Sequence, residues 1–139
     1  MKTIKKFGIL LLTVLIVACS DDDSNGDTPD APSSTYSISV TASSNNDYTL
    51  VGTDANGEVN DNDPSITMSV GETISFNVNA ASHPFYIKTV QGGGTSDQVS
   101  GVSNNGTTNG VVSWAPAAAG TYYYQCSDHN GMYGVITVQ

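Results

Sequence analysis

The chain has 139 residues, with 4 lysines and arginines against 13 aspartates and glutamates and a formal charge of −9. Nucleic acid and anionic membrane surfaces are held through basic side chains, so both are excluded as electrostatic partners. Two cysteines and two histidines are the only thiols and imidazoles in the chain, beside three methionines.

Lys2, Lys5 and Lys6 precede an apolar run from Phe7 to Ala18. That run is too short to span a bilayer and begins like a secretory signal. Its end, Ile16-Val17-Ala18-Cys19, resembles the lipobox of bacterial lipoproteins. The resemblance implies cleavage before Cys19, acylation of its thiol, and attachment to a membrane by lipid alone. Residues 1–18 are then a signal peptide, 19–35 the lipidated cysteine and a tether, and 36–139 one domain. The mature chain keeps Lys88 as its one base beside all 13 acids, a formal charge of −12. A basic partner protein suits such a surface, although acidity also serves solubility alone.

Two cysteines in an exported chain ordinarily form one disulfide. Here the lipobox claims Cys19, which leaves Cys126 a lone thiol in need of a purpose, and metal ligation is one. Without lipidation, Cys19 and Cys126 remain free to pair.

From Ser20 to Ser34 the chain reads SDDDSNGDTPDAPSS, with Ala31 as its one apolar side chain. Such a segment cannot bury enough surface to offset its ordering entropy and is expected to be a solvated tether. An acidic run directly after the acylated cysteine resembles the surface-export signal of some Gram-negative lipoproteins. That resemblance implies the outer membrane or cell surface in preference to the inner membrane.

The domain alternates apolar and polar residues at the strand period. Tyr36, Ile38 and Val40 share one face of a first strand, and Tyr48 to Val51 form a short second one. A turn-rich acidic stretch runs from Gly52 to Pro64. Ile66, Met68 and Val70 alternate, Gly71-Glu72 turns, and Ile74, Phe76 and Val78 alternate again. His83 precedes Pro84, which cannot donate to a ladder, so His83 belongs at the mouth of the strand that continues through Phe85, Ile87 and Thr89. Gly92-Gly93-Gly94 opens a polar loop, Val111 to Trp114 forms a strand, and Gly120-Thr121-Tyr122 opens the last pair. The spacing there predicts a tyrosine corner at Tyr122. Parity puts Tyr122, Tyr124 and Cys126 on one face, and Val135 to Val138 closes the domain. No stretch of the mature chain has a helical period. The expected fold is an all-β Greek-key sandwich of about seven to eight strands.

The last connection places Cys126, His129 and Met132 in the order Cys-x-x-His-x-x-Met. Cysteine, histidine and a weaker methionine are the ligand set of a blue-copper site, which also takes a second histidine. His83 is the only imidazole left to supply it.

Here Pro64-Ser65-Ile66-Thr67-Met68, Val70-Gly71-Glu72-Thr73-Ile74-Ser75-Phe76, His83, Trp114-Ala115-Pro116, Gly120-Thr121-Tyr122 and the Cys126-to-Ile136 stretch together resemble the cupredoxins. The short spacing from His129 to Met132 is most similar to amicyanin, since plastocyanins and pseudoazurins have longer ligand loops. The resemblance implies one type 1 copper, with His83, Cys126 and His129 as strong trigonal ligands and Met132 as the axial one. It implies a monomeric electron carrier with a redox partner protein, using the edge of His129 as the electron port, and no enzymatic activity. Copper storage or delivery at the cell surface is the alternative. Two positions depart from the family. Pro84 replaces the asparagine that ties the first histidine's strand to the residue after the cysteine, here Ser127. Gln125 stands where plastocyanins carry tyrosine before the cysteine.

Overall fold

The computed structural model describes residues 35–139. The expected signal peptide, acylated Cys19 and acidic tether lie outside the described residues, save Thr35, the tether's expected last residue, which opens the first strand. Nine strands follow in order: β1 (Thr35–Thr41), β2 (Thr49–Asp54), β3 (Gly57–Asn62), β4 (Ile66–Met68), β5 (Thr73–Asn79), β6 (Phe85–Lys88), β7 (Asn109–Trp114), β8 (Gly120–Cys126) and β9 (Tyr133–Val138). They form a five-stranded sheet ordered β3-β2-β1-β5-β7 and a four-stranded sheet ordered β4-β9-β8-β6. β1 with β5 and β4 with β9 are parallel pairs, and the other pairings are antiparallel.

The all-β sandwich matches the expectation, with one strand more. β3 lies in the stretch read as turns, because Val59 is its one buried side chain. It is an edge strand with polar and acidic residues toward solvent, so it lacks the alternation that reveals a half-buried strand. The buried carboxylate of Asp54 holds the hairpin in place, accepting from the Asn56 N–H at 2.7 Å and from the Thr67 N–H of β4 at 2.8 Å.

The core is built from alternate residues of both sheets, including Ile38, Val40, Leu50, Ile74, Phe76, Ile87, Val112, Ile136 and Val138. Burial of this kind stabilises the fold by roughly 25 cal/mol per Å² of apolar surface removed from water. At one end of the sandwich an aromatic cluster supports the loops above it. Phe85 stacks on Tyr124 at 5.5 Å between centroids, and Tyr48 meets Phe85 edge-on at 5.1 Å. The Tyr122 hydroxyl donates to the Ala118 carbonyl at 3.1 Å, which is the upstream backbone bond that the Gly-Thr-Tyr spacing predicts.

Candidate metal centre

β8 delivers Cys126 at its last position, and Cys126 stands opposite Phe85, the first residue of β6. His83 lies two residues before Phe85, so strand pairing alone brings it to the same end of the sheet. The turn that carries His83 passes through Ser82 at φ +66°, and the His83 N–H donates to the Ala80 carbonyl at 3.0 Å. His129 sits in the connection to β9, which is closed by two backbone bonds. The Cys126 N–H donates to the Met132 carbonyl at 3.0 Å, and the Met132 N–H to the His129 carbonyl at 3.1 Å.

The donor atoms of His83, Cys126 and His129 all lie within 4.8 Å of one another. Cys126 Sγ is 3.5 Å from His129 Nδ1 and 4.0 Å from His83 Nδ1, and the two rings lie 5.0 Å apart at 42°. Ligands at metal–nitrogen and metal–sulfur distances, spread trigonally, stand about 3.8 Å apart. The sulfur-to-nitrogen spacings therefore fit one ion held by a thiolate and two Nδ1 atoms. Cys126 and Met132 are fully buried, His83 is 7% exposed and His129 is half-buried. Met132 is thus placed by backbone bonds beside Cys126 and enclosed by protein.

Backbone groups supply the brace that Pro84 cannot offer through a side chain. The Ser127 N–H donates to the Pro84 carbonyl at 3.4 Å, while the Ser127 carbonyl accepts from Gly94 N–H at 2.7 Å. The Tyr48 hydroxyl, fully buried, donates toward the carbonyls of His83 and Pro84, each at 3.1 Å. Burial, and next the neighbouring Cys126, push the Tyr48 hydroxyl far above the ordinary tyrosine range, so it stays a donor.

Sequence reasoning missed three residues around this site. Gln125 is fully buried, and its amide nitrogen faces the carbonyls of Cys126 at 2.9 Å, His129 at 2.9 Å and Met132 at 3.1 Å. Its amide oxygen accepts from the Gly92 N–H at 3.2 Å. The sequence registered it only as a missing tyrosine. Lys88, the one base of the expected mature chain, is 1% exposed. Three glycines four to six residues downstream were its only signal. Tyr48 read as an ordinary strand aromatic.

No sequence-family model and no curated protein matches this chain. Solved structures do resemble it. Reduced rusticyanin is 20% identical, with 76% of this chain and 79% of that chain covered and a TM-score of 0.51. Rusticyanin from Thiobacillus ferrooxidans is 19% identical over 76% of this chain and 77% of its own, with a TM-score of 0.49. A purple cupredoxin from Nitrosopumilus maritimus is 19% identical over 74% of this chain and 98% of its own, with a TM-score of 0.48. At that identity, the match to reduced rusticyanin establishes the fold. The domain is a cupredoxin-like β-sandwich with two imidazoles gathered about a buried thiol.

Proposed function

We propose that this protein is a lipid-anchored blue-copper electron carrier, with His83, Cys126, His129 and Met132 as the ligands of one copper ion. The observation that carries the reading is the position of Cys126 Sγ between the Nδ1 atoms of two histidines, at 3.5 and 4.0 Å. A thiolate and two imidazoles form a set that suits copper, with a thioether completing the blue-copper pattern. Copper bound there would supply a one-electron couple.

The protein's own residues do the rest. Gln125 and Tyr48 fix the carbonyls of the ligand-bearing segments, which keeps the ligand positions similar in both redox states. Burial of Cys126 excludes solvent and oxidants from the sulfur, and the half-buried His129 offers the edge through which an electron enters and leaves. The chain's two histidines are both used in this set, which leaves none for a separate substrate-binding metal centre. This argues against a copper oxidase or reductase acting alone and in favour of an electron carrier. Cys19 would carry the lipid, with the acidic tether reaching up to about 50 Å from an outer-membrane or cell-surface anchor toward a basic redox partner.

Cu(II) added to the copper-free full-length chain should produce an intense visible charge-transfer band, and Cys126→Ser should abolish it. A colourless wild-type complex, or a band that survives the substitution, refutes the site. Repeated reduction and reoxidation without loss of metal separates a carrier from a delivery protein, which would yield copper readily to a competing acceptor.

A further inference from the structure

Lys88 is the only lysine among the described residues, and it is buried. An ammonium taken out of water is costly unless each of its protons finds an acceptor. Lys88 Nζ donates to the carbonyl of Gly92, to that of Gly93 at 3.4 Å and to that of Gly94 at 3.3 Å. The opposite ends of the same peptide units point at the ligand loop. The Gly93 N–H donates to Asn130 Oδ1 at 2.8 Å, and the Gly94 N–H donates to the carbonyl of Ser127, the residue after Cys126, at 2.7 Å. Two peptide units thus run from the ammonium, at their carbonyl ends, to the ligand loop, at their N–H ends. The glycines are required for this approach. Gly94 takes φ +76°, and a Cβ on Gly93 would land on the Asn130 side-chain oxygen.

We infer that Lys88 is a positioning residue for the metal centre, holding the Gly92–Gly94 loop against the ligand loop and biasing the site toward the reduced metal with its buried charge. The inference rests on the copper reading above. Hydrogen bonds made by a peptide whose carbonyl is bound to a cation are polarised and strengthened. The clamp therefore tightens the bonds that the loop donates to Ser127 and Asn130. The charge acts separately. Cu(II) carries one positive charge more than Cu(I), so a fixed ammonium in a poorly screened interior disfavours the oxidised form.

Lys88→Met removes the charge and keeps most of the side-chain volume. In the full-length, copper-loaded chain, this substitution should speed copper transfer to a chelator about tenfold. It should also shift the Cu(II)/Cu(I) equilibrium about tenfold toward Cu(II), a fall of about 59 mV in potential. In the copper-free chain it should speed amide hydrogen exchange at Gly93 and Gly94 about tenfold, a sign that needs no metal. An unmoved potential overturns the inference even if copper leaves faster, because any structural lysine would loosen the loop. Unmoved exchange at the two glycines overturns it as well. Failure of the wild type to bind copper would sink the copper reading and leave the exchange result standing. Should Lys88→Met fail to fold, Lys88→Gln, which keeps a donor without the charge, is read against the same outcomes.

Discussion

Gln125 shows how one uncharged side chain can govern a loop. Its amide N–H groups face three carbonyls of the ligand segment, and its oxygen takes the Gly92 N–H. A leucine there takes the partner from the Gly92 N–H and leaves the His129 and Met132 carbonyls only their backbone bonds, at about 1–3 kcal/mol for each group left unsatisfied and not reached by water. A glutamate is worse, because its carboxylate would face the same three carbonyl oxygens from a site with no solvent. Gln125→Glu should therefore lower the thermal midpoint more than Gln125→Leu, and both should weaken copper binding by about 10- to 100-fold. Thermal unfolding of the copper-free variants and competition with a metal chelator measure the two effects. Equal midpoints for the two variants would show that water reaches the site and that the amide is not essential.

At the scale of elements, the joint between the β2–β3 hairpin and the aromatic cluster contains a titrating group. Asp63, at φ +46°, follows β3, and its N–H donates to the Tyr48 carbonyl at 2.8 Å while its Oδ1 accepts from the Tyr48 N–H at 2.9 Å. Burial pushes the Asp63 carboxyl up to about 6, the charge of Asp47 adds to this, and the N–H groups of Tyr48 and Tyr133 pull the other way. The folded value lies above the ordinary 3.8. The folded state thus holds the proton more tightly, and the associated stability is present below pH 3.8 and lost as the pH rises through about 6. Since the carboxyl is only half-buried, the loss is about 1 kcal/mol after discounting for solvent screening. Wild-type stability relative to Asp63→Asn should fall by that amount between pH 4 and pH 7, read from urea midpoints of the copper-free proteins. A difference that is flat with pH would mean that Asp63 titrates normally.

The elements also show what a sequence can reveal. His83, Cys126 and His129 were legible because their chemistry is rare in this chain and the ligand loop is bounded by two strongly alternating strands. β3 was not, since an edge strand that buries only Val59 has no period to detect. The burial of Lys88 was not legible either, because lysine is almost never fully buried. Nothing local to residue 88 reveals that the carbonyls of Gly92 to Gly94 fold back over it. Gln125 was hidden for a related reason. Parity sets it opposite Tyr124 and Cys126, and only the tertiary approach of the glycine loop encloses that second face.

For the whole molecule, burial of Lys88 changes what a partner meets. The described residues carry Asp47, Asp54, Glu58, Asp61, Asp63, Glu72, Asp97 and Asp128, and their one lysine is enclosed. The accessible face of the domain therefore offers anionic side chains with no lysine or arginine among them. Like-charged reagents are repelled from such a surface and oppositely charged ones are steered to it, and salt weakens both effects over a Debye length of about 8 Å at physiological ionic strength. On the proposed electron-carrier function, this is measurable without knowing the natural partner. Electron exchange with a cationic metal complex should slow several-fold as salt rises from about 10 mM to about 150 mM, while exchange with an anionic complex should quicken. Stopped-flow rates at matched driving force give the comparison. If both reagents respond alike to salt, the electron port lies outside the field of these acids, and a basic partner would gain no steering from them.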